Sequence, residues 1–201
     1  ISYPQDVNLL NEAREKLEKM IDIICYEQNY YKPRMYRQKA RKDYLNLAKC
    51  KKRTAKKIRK AIKTQLQYIR RDLRYIDAFL EEIDLCDDLS KQLVTIRTLV
   101  EQQQYMYDNK VHSVPDRIVS ISQPYIRPIV RGKAKAPVEF GAKLDISVIN
   151  GFTRLEYHSF NAYNEALKLS DMIERYKERT GSYPERILAD KIYRNRENLA
   201  Y

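Results

Sequence analysis

Apolar residues recur at steps of three and four over the first half of the chain and alternate over part of the second. From Asp6 to about Gln28, Val7, Leu10, Ala13, Leu17, Met20, Ile21 and Ile24 mark one face of an amphipathic helix. Asp6 is placed to cap it. The pattern breaks at Asn29–Pro33, because a proline disfavours helical backbone in the residue before it, Lys32. A second helix is expected from Met35 to Cys50. The third is the longest, from a Thr54 cap to about Asp84. Its stripe of Ile58, Ile62, Leu66, Ile69, Leu73, Ile76 and Leu80 is near-heptad and offers one seam to an antiparallel partner helix. A fourth helix is expected from about Ser90 to Lys110, with Leu93, Ile96, Val100, Met106 and Tyr107 inward. Residues 6–110 therefore read as a helical bundle.

After Lys110 the texture changes. Pro115, Pro124, Pro128 and Pro137 punctuate a non-helical connector in which Arg117–Ile121 has the character of a short strand. From Val138 to Val148 the pattern alternates, with Val138, Phe140, Ala142, Leu144, Ile146 and Val148 on one face and Asp145 on the other. Asn150-Gly151 is the strongest hairpin signal in the chain, and Phe152–Tyr157 is the returning arm. Ala162–Thr180 reads as an amphipathic helix with Ala166, Leu169, Met172, Ile173 and Tyr176 inward. Behind the turn at Gly181–Pro184, the run Ile187, Leu188, Ala189 is expected to be a short buried strand ending on Asp190. The polar stretch that follows is expected to open a helix near Asn195. The class is α+β. A basic helical domain over residues 1–115 precedes a smaller mixed domain over residues 116–201, in the order β-hairpin, helix, strand.

Charge adds a partner to this outline. The 201 residues hold 39 Lys and Arg against 27 Asp and Glu. Between Lys32 and Arg74 there are 18 basic residues and only Asp43 and Asp72 as acids, a net of +16 that leaves −4 for the rest of the chain. A basic helix face is often only a solvated surface. Here the imbalance is large enough that self-repulsion calls for a polyanion, and nucleic acid is the commonest one. Lys51, Lys52, Arg53, Lys56, Lys57, Arg59, Lys60 and Lys63 are candidate DNA contacts. Arg131 and Lys133, in a second basic patch running from Arg127 to Lys135, join them. Tyr30, Tyr31, Tyr36, Tyr44 and Tyr68 are interleaved with the basic run. Cys25, Cys50 and Cys86 are scattered, which argues against a disulfide scaffold, and His112 and His158 are too few for a histidine metal cage. No apolar run approaches a membrane span.

Asp190 has two readings at this point. A carboxylate at the C-terminal tip of a buried strand sits where open α/β sheets place their chemistry. An aspartate ahead of a polar stretch is also a common cap.

The run from Asp190 to Asn198, Asp-Lys-Ile-Tyr-Arg-Asn-Arg-Glu-Asn, resembles the second-aspartate motif of bacterial insertion-sequence transposases of the DDE type. The stretches His112–Pro124, Pro128–Lys133 and Pro137–Leu144 are similar to the same family in order and spacing. The opening Tyr3–Arg14 resembles the segment after that family's first catalytic aspartate. The resemblance implies an RNase H-like core, of which residues 116–201 are a part, with residues 1–115 as a helical insertion. It implies a first strand, with the first aspartate, upstream of Ile1, and a glutamate beyond Tyr201. The Asp190 strand is expected either packed beside the Val138–Val148 arm or one strand-width away from it, where the first strand of such a core would lie between them. The implied function is metal-dependent cleavage and transfer of DNA strands at the ends of an insertion sequence.

Such chemistry uses paired Mg²⁺ ions, with Mn²⁺ as a substitute, held by clustered carboxylates. The resemblance makes Asp190 the catalytic and metal-bridging residue present here. Lys191, Arg194 and Arg196 are then placed to contact phosphates, or are surface charge. The implied partners are double-stranded DNA at the transposon ends and target, with a homodimer left open and no membrane. The implied setting is the bacterial cytoplasm, at the nucleoid. The alternatives are a non-catalytic basic helical module that binds DNA or directs assembly, and, more weakly, an RNA-binding regulator.

Overall fold

The computed structural model describes residues 6–130 and 138–200. The chain divides into two compact units, residues 1–128 and 129–201. The division falls later than residue 115 because Ile118 and Ile121 pack into the helical core.

The first unit is built from four helices: α1 (Asp6–Glu27), α2 (Arg37–Ala48), α3 (Ala55–Leu80) and α4 (Asp87–Asn109). The expected order holds and the ends shift by a few residues. The stripe of α1 is completely enclosed, with Leu10, Ala13, Leu17 and Ile21 inaccessible to solvent. It packs against Leu66, Ile69 and Ile76 of α3 and Leu93, Ile96 and Leu99 of α4. Each such side chain contributes roughly 1.5–3 kcal/mol on burial. Asp6 opens α1, and its carboxylate takes hydrogen bonds from Gln103 and Arg117, which tie the connector back to the bundle. Thr54 caps α3, its hydroxyl accepting from the Lys57 amide at 3.4 Å. The α3 seam fades at its start, where Ile58 is 36% exposed.

Two features of this unit are polar where a helical bundle would be apolar. Arg14 is 1% exposed and is held by Glu18 at 2.6 Å and Asn11 at 2.9 Å. Asp72 is fully enclosed beside Arg71 at 2.6 Å, and burial, partly offset by that arginine, pushes its carboxyl up to about 6. Helix α2 buries only Ala40 and Leu47. Polar contacts dock it: Arg37 on Asp22 at 2.6 Å, Tyr68 on Asp43 at 2.8 Å, and Tyr44 on Asn8 at 3.2 Å.

The expected strand at Arg117–Ile121 does not form. The segment is irregular, with Ile118, Val119 and Ile121 buried as anchors. Three apolar residues in five are enough to fix a segment to a core without a neighbouring strand to pair with.

The second unit contains β1 (Pro128–Val130), β2 (Val138–Phe140), β3 (Lys143–Ile149), β4 (Phe152–Ser159) and α5 (Leu169–Thr180), preceded by a 3₁₀ turn at Glu165–Lys168. The expected arm from Val138 to Val148 is two strands. The break falls at Gly141, whose φ of 142° is a conformation that favours glycine. Strand β2 pairs with β1, and β3 pairs antiparallel with β4. The β3–β4 turn is the Asn150-Gly151 pair, with φ of 51° and 82°, as a two-residue hairpin requires. A bulge between Asp145 and Ile146 shifts the register.

The alternation along β3 is present, but the covered face is the polar one. Asp145 is 2% exposed, whereas Leu144, Ile146 and Val148 are more than half exposed. Glu156 of β4 is buried too, bonded to Ser147 at 2.6 Å and to Arg179 of α5 at 2.8 Å.

Candidate functional site

Asp190 does not end a strand. Residues 186–189 have no regular secondary structure, among the described residues Pro184–Ala189 form no backbone hydrogen bond, and Ile187 and Leu188 are 41% and 90% exposed. Asp190 is exposed, and it is the N-cap of a 3₁₀ turn at Lys191–Tyr193, accepting from the Lys191 amide at 2.5 Å. The capping geometry is therefore the one realised. The expected helix near Asn195 is a hydrogen-bonded turn, with Asn195 Oδ1 accepting from the Asn198 amide at 2.7 Å. Asn198 anchors that turn by donating to the Ala166 carbonyl at 2.8 Å.

The segment at 184–190 shares one groove with β3. Ile146–Asn150 and Pro184–Asp190 both line this groove, together with Leu169, Met172, Ile173 and Tyr176 of α5. Its volume is about 770 Å³. Beside it, Tyr193 donates to the buried Asp145 at 3.5 Å. Burial raises the Asp145 carboxyl above its ordinary value and pushes Tyr193 up to about 12. Lys143 pairs with Glu165 at 2.9 Å at the edge of the same cluster. The sequence placed Asp145 on the polar face of the hairpin; that face is the covered one and Asp145 is buried, while Glu165 stays partly exposed.

The described residues do not by themselves make a Mg²⁺ or Mn²⁺ site. Among them no three His, Cys, Asp or Glu side chains converge to hold a metal, and one carboxylate oxygen of Asp190 is occupied as a cap. A two-metal centre needs further carboxylates from elsewhere.

The basic surface divides in a way the sequence did not show. Lys51, Lys52, Lys56, Lys57, Lys60 and Lys63 are exposed along the start of α3 and the loop before it. Arg53 is exposed too, with one guanidinium nitrogen on the Ala48 carbonyl at 2.7 Å. Arg59 differs from them: it lies half-buried over the Tyr107 ring at 3.9 Å and donates to the Tyr107 carbonyl at 2.7 Å, so it ties α3 to α4. Lys191, Arg194 and Arg196 are exposed around the 3₁₀ turn. Arg131 and Lys133 lie outside the described residues. The three cysteines are free thiols.

No family model, curated protein or solved structure matches this chain. Among the described residues, no helix is long and apolar enough to cross a membrane.

Proposed function

We propose that this chain is part of a DDE-type DNA transposase with an RNase H-like core, acting on double-stranded DNA. The observation that carries the reading is the groove beside Asp190. Residues 146–150 of β3 and its turn and residues 184–190 line one groove of about 770 Å³, and among the described residues 184–189 make no backbone hydrogen bond. A strand inserted there satisfies both edges at once and turns Ile187–Ala189 into a paired strand ending at Asp190. That is the arrangement the family resemblance implies, with the inserted strand bringing a second carboxylate to the neighbourhood of Asp190. Asp190 is then one ligand of a metal centre completed by acids outside these residues, and the exposed lysines of α3 hold the DNA.

The experiment is metal-dependent DNA cleavage by the full-length protein, comparing wild type with Asp190→Asn. Loss of cleavage with duplex binding intact is the expected result. Cleavage at the wild-type rate would remove Asp190 from the chemistry.

A second reading is favoured by the cap geometry of Asp190: a basic module that binds or assembles on DNA without cutting it. Both readings require duplex binding by α3. Replacing Lys56, Lys57, Lys60 and Lys63 by Ala should weaken binding to all sequences and flatten the slope of log affinity against log salt by up to about four phosphates, each worth roughly 0.9. Helicity should survive, since alanine is the best helix former. Equal slopes for two equally folded proteins would leave the lysines as a solvated face.

A further inference from the structure

The link between α1 and α2 displays aromatic rings to solvent in a way its own anchoring makes unusual. Tyr26, in the last turn of α1, is 89% exposed, and Tyr31 is 96% exposed. Between and beyond them the chain is fixed. The Tyr30 amide donates to the Cys25 carbonyl at 2.9 Å, the Tyr30 ring stacks on Phe79 at 5.5 Å, and its hydroxyl donates to Glu82 at 2.7 Å. Met35 is buried in the bundle core. Tyr31 is therefore held out from a segment pinned on both sides. Tyr36, 49% exposed, carries the Arg34 guanidinium over its ring at 4.7 Å.

The stretch itself is cationic: from Tyr26 to Lys42 there are six Lys and Arg and one acid, Glu27, with Asp22 and Glu82 brought to it by Lys32, Arg37 and Tyr30. Lys32 and Arg37 are paired to Asp22, which leaves Arg34, Lys39, Arg41 and Lys42 exposed along the same stretch of chain.

We propose that this patch binds single-stranded DNA, with unpaired bases stacking on Tyr26 and Tyr31 while the exposed cations hold the backbone. Bare rings beside free cations are the chemistry that recognises unpaired bases, because every base has a π-face and the backbone supplies the charge. A duplex hides those faces in its stack, so the rings discriminate single from double strands where lysines alone do not. The site is distinct from the α3 lysines and does not rest on the transposase reading.

The test is fluorescence anisotropy of labelled oligo(dT) and of a duplex of equal length, titrated with the 201-residue chain. Three proteins are compared: wild type, Tyr26→Ser/Tyr31→Ser, and Tyr26→Phe/Tyr31→Phe. Both substitutions sit at exposed positions, and circular dichroism with thermal melting verifies the fold. The serine variant should lose about tenfold or more on oligo(dT), the effect of removing stacked rings, and stay within about twofold of wild type on duplex. The phenylalanine variant keeps the rings and should bind like wild type. Unchanged oligo(dT) affinity in the serine variant overturns the proposal, as does an equal loss on duplex. A phenylalanine variant as weak as the serine one also overturns it, since stacking would not then be the cause. Tighter binding of oligo(U) than oligo(dT) would assign the patch to RNA and overturn the DNA assignment. Loss of duplex binding in the α3 lysine variant with oligo(dT) binding intact would leave this site standing by itself.

Discussion

The two units treat their apolar residues in opposite ways. In the helical unit, Leu10, Leu17, Ile69 and Ile96 are inaccessible to solvent. In the strand unit, Leu144, Ile146, Val148 and Leu155 of the β3–β4 hairpin are all more than half exposed, while Asp145 and Glu156 of the same hairpin are buried. A helix stripe in a bundle is covered by the neighbouring helices of its own unit. A two-stranded hairpin has two faces and one open edge on each strand, and is marginal unless other layers cover it. Here α5 and its preceding turn cover one face, and it is the polar one, held by Glu156–Arg179 and Asp145–Tyr193. The hairpin is thus held to its cover through charged and polar contacts, whereas the helices of the first unit are held by area removed from water; in the strand unit Ile129, Ala166 and Ile173 are the buried apolar residues among those described.

The sharpest way to break this comparison is a matched pair of truncations. Ile69→Ala should cost the helical unit about 3–4 kcal/mol in urea denaturation, the range for a fully buried aliphatic side chain. Ile146→Ala and Leu188→Ala should each stay within about 0.5 kcal/mol, as surface changes do. Similar costs at all three positions would mean that the hairpin face is covered in solution.

A smaller effect of the opposite sign is expected inside the bundle. The Asp72 carboxyl is raised to about 6 from an ordinary 3.8, chiefly by burial, so the folded chain holds that proton more tightly than the unfolded one. Its contribution is best below the ordinary value, and stability is lost as pH rises through about 6. Asp72→Asn removes the titration. It should raise stability at pH 7 by up to about 3 kcal/mol, a bound set by the size of the shift at 1.36 kcal/mol per pH unit. Near pH 4 it should change little. Melting temperatures at the two pH values check this, and a variant less stable at pH 7 would show that the Arg71–Asp72 pair outweighs its desolvation cost.

The smallest effect belongs to the strand unit. Burial pushes Glu156 up, but Arg179, Ser147 and Arg175 together hold it below its ordinary 4.5. That stability is present above the ordinary value and is lost as pH falls through the lowered one. Arg179 is partly exposed, so Arg179→Ala should cost only about 1–2 kcal/mol at neutral pH. The cost should shrink toward pH 3, followed by hydrogen exchange at β3 and β4. A pH-independent cost would make packing of the arginine stem, not charge, the source.

How far the sequence could be read follows the same division. The four helices, the Thr54 cap and the Asn150-Gly151 turn were legible because each depends on local spacing or on the backbone freedom of one or two residues. The charge on α3 was legible as composition, but the loss of Arg59 to Tyr107 was not, since that partner lies on another helix. The expectation of a buried strand at Ile187–Ala189 rested on apolar character, which says that a segment can be covered and not what covers it. Asp190 shows the limit most clearly. Its residue type fitted both a cap and a catalytic carboxylate, and the backbone takes one of its oxygens as a cap. The sequence by itself determined the periodicities, the turn and the charge, because these are properties of neighbours along the chain. Which face of the hairpin is covered, which arginine is held by a ring, and that β3 and residues 184–190 line one groove were decided only by the tertiary structure, because each depends on which surfaces distant segments bring together.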